Sequence, residues 1–154
     1  MSDKQGIHLA IELATQRRDA LAQCLGLARQ QWVSAQMQLD QLESYAQEST
    51  ARWGAQAGRH HPELMRHHYQ FMERLVQAIQ MQTGIVGEHA GHVAREAAQV
   101  REAEARLEAL RQVQAQRDRE QLALTMRREQ KQSDEMAAAQ YRRLRAAGRV
   151  GVTG

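Results

Sequence analysis

The chain has 154 residues, of which 42% are hydrophobic but only 4% aromatic, with a single proline and 25% charged side chains. That balance excludes a broad globular core and points to long helices with a narrow apolar seam in one domain; no segment alternates with period two among β-branched residues, so no strand is predicted. The net charge of +3 is uneven: residues 111–154 hold ten Lys and Arg against five Asp and Glu, a net of +5, which leaves −2 on residues 1–110. Such a basic tail either serves solubility or suits an anionic partner, whether an acidic protein surface, phosphate or lipid.

Cys24 is the only cysteine, so an internal disulfide is ruled out and a reducing compartment fits. Its place beside Leu25 reads as small packing. No apolar h-region opens the chain and no apolar run reaches ~18 residues, so neither a signal peptide nor a membrane span is expected.

In chain order, residues 1–6 lack patterning and are expected to fray. From Ile7, alternating steps of four and three give Ile11, Ala14, Arg18, Leu21, Leu25, Ala28, Trp32, Ala35, Leu39, Leu42, Ala46, Ser49 and Trp53, with only Arg18 and Ser49 polar. An apolar repeat of 3.5 residues over so long a run predicts a coiled-coil helix, about 7–54. Gly54, Gly58 and His60-His61-Pro62 mark a turn over about 54–62. Pro62 suits the first position of a new helix, where its missing N–H costs nothing, and Glu63 suits the dipole of that first turn.

The second helix, about 62–147, carries its own seam at Met72, Leu75, Ile79, Gln82, Val86, His89, Val93, Glu96, Val100, Ala103, Leu107 and Leu110. Beyond Leu110 the same steps meet Gln114, Arg117, Gln121 and Arg128. If the chain folds back at the turn, facing residue numbers sum to about 116, which sets Ile7 opposite Ala109. The second stripe thus stops where the first runs out, which favours an intramolecular antiparallel hairpin over a parallel dimer. The fold class expected is all-α: a single coiled-coil domain, an antiparallel two-helix hairpin about 70 Å long with a C-terminal helical overhang from about 111. That overhang is polar, so packing within the chain does not hold it, and a partner is expected to order it. Gly148–Gly154 reads as a flexible end. Gly26, Gly84, Gly87 and Gly91 fall at one level of the hairpin and mark either close backbone approach or a soft segment.

Seven histidines raise the question of a metal. His60, His61, His67 and His68 surround the turn, while His89 and His92 share a helical face. No two stand four residues apart and no acidic or cysteine ligands converge on them, so they read as solvated, with His89 a partly exposed seam residue. There is no phosphate loop, nucleophile elbow or converging acid–base set, and a hairpin offers no concave pocket, so the protein reads as non-enzymatic, with no catalytic residue, cofactor or metal.

Beside the seam, Gln38, Leu42, Tyr45 and Ser49 share one face of the first helix, and Phe71, Leu75, Ala78 and Gln82 one face of the second. The pairing rule joins them into one strip, with Tyr45 facing Phe71. In a chain this poor in aromatics, a half-exposed Tyr–Phe pair either shields the seam or forms a docking spot.

Three passages resemble the FliJ family, a small coiled-coil component of the bacterial flagellar type III export apparatus. They are Arg18-Asp19 with the Ala/Leu positions through Leu39, Leu42 and Tyr45; Tyr69-Gln70-Phe71-Met72-Glu73-Arg74-Leu75 with Ala78-Ile79 and Gln82; and Arg127-Arg128-Glu129-Gln130-Lys131-Gln132-Ser133-Asp134-Glu135-Met136. The resemblance implies a non-enzymatic stalk that promotes assembly and activity of the hexameric export ATPase FliI, links it to the export gate protein FlhA and handles export chaperones. It implies a cytoplasmic protein, peripheral to the inner membrane at the flagellar base. The family's gate-binding strip matches Gln38, Leu42, Tyr45, Phe71, Leu75 and Ala78; Ser49 and Gln82 stand where some members have an aromatic and a histidine. The ATPase-binding end matches Arg127, Arg128, Glu129, Gln130 and Lys131.

Two alternatives remain open: the equivalent stalk of a virulence-type secretion system, and a generic basic adaptor for nucleic acid or anionic membrane. Against the adaptor, acids such as Asp118, Glu120 and Glu129 interrupt the basic residues, and no aromatic stacking platform accompanies them, so no nucleic acid partner is expected.

Overall fold

The computed structural model describes residues 2–56, 58–59 and 61–152. Two α-helices make it up, α1 (Asp3–Ala55) and α2 (Pro62–Val152), packed against each other as the helical hairpin that the two seams imply. The contacts divide it into two compact units, Glu12–Leu107 and Met1–Ile11 with Glu108–Gly154.

α1 begins at Asp3, before the apolar stripe, so residues 3–6 are helical where fraying was expected. The cause is a capping box. The Gln5 N–H donates to Ser2 Oγ at 3.3 Å, and the Ser2 N–H donates to Gln5 Oε1 at 3.3 Å. The Gly6 N–H then bonds the Ser2 carbonyl at 3.0 Å, and Asp3 places an acid in the first turn, where the helix dipole favours it.

The connection runs through two short backbone bonds, Gln56 N–H to the Trp53 carbonyl at 3.2 Å and Arg59 N–H to the Gln56 carbonyl at 3.1 Å. Gly58 adopts φ 84°, a left-handed conformation that strains residues with a Cβ. His61 caps α2: its Nδ1 accepts from the Glu63 N–H at 3.3 Å, and its carbonyl accepts the first helical bond, from the Met65 N–H, at 3.0 Å. Pro62 occupies the first helical position, as its chemistry predicts.

Within Glu12–Leu107 the core is narrow. Leu25, Ala28, Ala35 and Leu39 of α1 are buried with Leu75, Val100, Ala103 and Leu107 of α2, and all eight lie on the predicted seams. The other seam positions of this unit are half-buried, with one exception. Trp32 remains 38% exposed. Ala28 and Ala35 flank it on the seam, and small side chains bring two helices close together. The indole is therefore only partly covered by the seam. Cys24 is likewise exposed, not packed as its neighbourhood implied.

The polar residue Gln82 is accommodated on the seam by hydrogen bonding across it. Its Nε2 donates to the Ala35 carbonyl at 2.9 Å and to Gln38 Oε1 at 3.2 Å. A buried amide left without these partners costs about 1–3 kcal/mol, so the bonds help to fix the register.

The glycines do not mark close approach. A Cβ built on Gly26, Gly84 or Gly87 meets nothing within 4 Å, and one on Gly91 meets only the end of the Arg95 side chain at 3.3 Å. Of the two readings, close approach is therefore excluded.

In the second unit, Ile7, Ala10 and Ile11 of α1 are half-buried, as are Leu110 and Gln114 of α2. From Ala115 to Ala138 every α2 residue is exposed. Local bonds support this stretch: Gln116 donates to Glu120 at 3.1 Å, Arg119 to Gln116 at 2.8 Å and Gln130 to Asp134 at 3.1 Å. Each such pair adds a few tenths of a kcal/mol to helix stability. α2 then continues through Gly148 to Val152, five residues past the expected end, with Arg149 in the last turn complementing the dipole. Of the segment expected to be flexible, Thr153 and Gly154 lie outside the described residues.

Candidate functional site

The pairing of α1 with α2 brings Tyr45 against Phe71, edge to face, with ring centroids 5.8 Å apart and planes at 84°. Both rings sit just off the seam, and each keeps much of its surface, 48% for Tyr45 and 40% for Phe71. Fully shielded aromatics would have lost that surface. The two rings thus meet in a geometry that their quadrupoles favour while remaining partly open to solvent.

The other strip residues divide by depth. Gln38 is exposed, Leu42 and Ala78 are half-buried, and Leu75 is buried at 7% exposure. Leu75 therefore supports the strip from below and offers almost no surface. Beside Tyr45 a shallow depression is lined by Gln38, Gln41, Leu42, Tyr45 and Gln82. Gln41 was not among the residues read from the sequence. Its spacing of three from Gln38 and four from Tyr45 is the signal that places it there. The depression has a leucine floor, an aromatic wall and three amides, one of them fixed through the Gln82–Ala35 bond. No ionisable carboxylate, amine or guanidinium lines it. Its chemistry is that of an uncharged contact surface, apolar with amide hydrogen-bonding groups at the edge.

Nearer the turn, Trp53 stacks on His68 with centroids 3.8 Å apart and planes 2° from parallel, and His68 in turn meets Tyr69 at 6.1 Å. His61 is a helix cap and His68 a stacking partner, so two of the four histidines near the turn have structural roles. His60 lies outside the described residues. Among the described residues no group of three or more His, Cys, Asp or Glu is placed to hold a metal ion. Among them, too, no helix is long and apolar enough to cross a membrane.

In the second unit, Arg127, Arg128, Glu129, Gln130 and Lys131 are all exposed on α2. They do not form a single patch. Arg127, Gln130 and Lys131 line one shallow face with Asp134, Ala138 and Arg142. Arg128 belongs to another concavity, where Gln121 and Leu124 lie beside Lys4 and Ile7 of α1. The segment thus presents charge of both signs around the helix.

A family model described as the flagellar FliJ protein matches residues 9–146. No curated protein and no solved structure matches the chain.

Proposed function

The chain belongs to the FliJ family and is a coiled-coil protein associated with flagellar type III export; from that premise we propose that it is a non-enzymatic stalk acting on the hexameric export ATPase FliI and the export gate protein FlhA. The Arg127–Lys131 segment of α2 meets the ATPase and promotes its assembly and activity. The strip of Gln38, Leu42, Tyr45, Phe71 and Ala78, supported by Leu75, docks on the gate. Export chaperones are further partners. The protein works in the cytoplasm and is peripheral to the inner membrane through the gate.

The observation that carries this reading is the half-exposed Tyr45–Phe71 pair beside a depression that no charged side chain lines. Aromatic side chains have only two rotatable side-chain bonds to order on binding, which suits an interface anchor. The exposed stretch from Ala115 to Ala138 supports the ATPase contact, because it is ordered as helix while burying nothing of its own. Mixed charge around such a helix lets it contact several subunits of a ring without adhering to one wall. The match to the flagellar family favours this system over a virulence-type one.

The test is ATP hydrolysis and ring assembly by purified FliI, measured with and without the full chain. Faster hydrolysis and more hexamer are expected. Equal rates and equal hexamer fractions over a wide range of added protein would remove the proposal.

A further inference from the structure

The face of Glu12–Leu107 that carries Tyr45 and Phe71 is longer than the docking strip, and its residues are arranged symmetrically about one level. On α2, steps of three and four from Phe71 give Arg74, Ala78, Met81, Ile85 and Glu88. On α1 the adjoining stripe is Leu27, Gln31, Ser34, Gln38, Gln41 and Tyr45. Leu27 is 61% exposed, Met81 72% and Ile85 39%, so large apolar groups recur along it. The opposite flank of the hairpin carries more charge, Arg29, Asp40, Glu43 and Glu73, beside the exposed Val33, Tyr69 and Val76.

Between Leu27 and Tyr45 on α1 and between Phe71 and Glu88 on α2, the first face carries only two charges, Arg74 and Glu88. They are opposite in sign, stand seven residues either side of Met81, and have no ion-pair partner among the described residues. The α1 stripe has its own centre near Gln36, with Leu27 and Tyr45 nine residues to either side and glutamines between. Met81 and Gln36 lie at the same level of the hairpin, in the register that the Tyr45–Phe71 contact and the Gln82–Ala35 bond establish. One axis through that level therefore serves both helices.

The geometry points to a second copy of this chain as the occupant of the face, forming an antiparallel four-helix bundle about a two-fold axis at Met81. Under that axis Arg74 of each copy meets Glu88 of the other, twice over. Ala78 meets Ile85, small against large. Met81 meets its own counterpart, Leu27 meets Tyr45, and Gln31 meets Gln41, an amide against an amide. A two-fold contact must be self-complementary, and this face is, in charge, size and hydrogen bonding. At 1.5 Å per residue the contact is about 30 Å long, and with two helices about 20 Å wide, so each copy covers about 600 Å². That is the lower end of the range for specific interfaces, so the dimer is weak and forms at micromolar concentration. It covers Tyr45 and Phe71. The inference rests on this face alone and does not depend on the gate or the ATPase.

The test is the mass of the full chain by analytical ultracentrifugation from about 1 to about 200 μM at low salt, where exposed charge pairs are least screened. Wild type is expected to pass from monomer to dimer over that range. Arg74→Glu and Glu88→Arg, each placing like charges together twice, are expected to weaken the dimer by roughly tenfold or more. An equimolar mixture of these two variants restores all pairs, as does the double variant in one chain, and both are expected to dimerise like wild type. Unchanged circular dichroism confirms that the variants fold. Wild type that stays monomeric throughout overturns the inference. So does a dimer indifferent to either substitution, or one that neither the mixture nor the double variant restores, because such a dimer uses another surface.

Discussion

Gln82 of α2 reaches across the seam to the main chain of α1, its amide 2.9 Å from the Ala35 carbonyl. That oxygen belongs to a residue in the middle of α1, and the seam positions nearest this level, Trp32, Leu39, Ile79 and Val86, are apolar. A polar group at such a position specifies register at a cost in stability. Gln82→Leu is therefore expected to raise stability by about 1 kcal/mol through added apolar burial, while loosening the choice of register. Urea unfolding measures the first effect; a lower midpoint in the variant would show that the bond outweighs the apolar gain.

Tyr45→Ala combined with Phe71→Ala should separate docking from folding. Both rings are substantially exposed, so their removal is expected to leave helicity intact and the melting temperature almost unchanged. Binding to FlhA is expected to fall by roughly tenfold or more, as for paired aromatic anchors. A large loss of helix content would instead make the rings structural supports of the seam.

Ala at Gly26, Gly84 and Gly87 meets open space. Each substitution is expected to stabilise the hairpin by about 1 kcal/mol, the difference in helix propensity. Gly91→Ala should gain less, because the Arg95 guanidinium must first move aside. Thermal melts of the single variants and the triple variant check both magnitude and additivity; no gain in the triple variant would show that these glycines do not limit helix stability.

The Trp53–His68 stack covers one face of the indole. In a Trp32→Phe background, His68→Ala is expected to make Trp53 fluorescence more accessible to acrylamide and to lower stability by about 0.5–1.5 kcal/mol. Equal quenching before and after the substitution would mean that the rings do not stay stacked in solution.

Removal of residues 111–154 tests the assignment of the α2 segment. The eight buried seam residues all lie within Glu12–Leu107, so the truncated chain is expected to remain a folded hairpin. It should no longer stimulate FliI. Full stimulation by the truncated protein would move the ATPase contact elsewhere.

Much of the structure follows from local periodicity. A step of three or four residues decides which side chains share a helix face, and that is a property of one helix by itself. The two seams were legible on that basis, the facing of Tyr45 and Phe71 followed from folding the chain back at the turn, and the role of Pro62 as the opening residue of α2 followed from its missing N–H. The early start of α1 was missed: the apolar pattern pointed to Ile7, and the Ser2-x-x-Gln5 signature was the signal that could have moved it.

What periodicity does not contain is the distance between the helices. That distance is set jointly by the small residues of α1 and by whatever α2 places opposite them. It decides that Trp32 stays partly outside while Leu75 is covered, and that Gln82 finds a carbonyl within reach. Sequence assigned each residue to a face; only the packing of one helix on the other decided how much of each face remained for a partner.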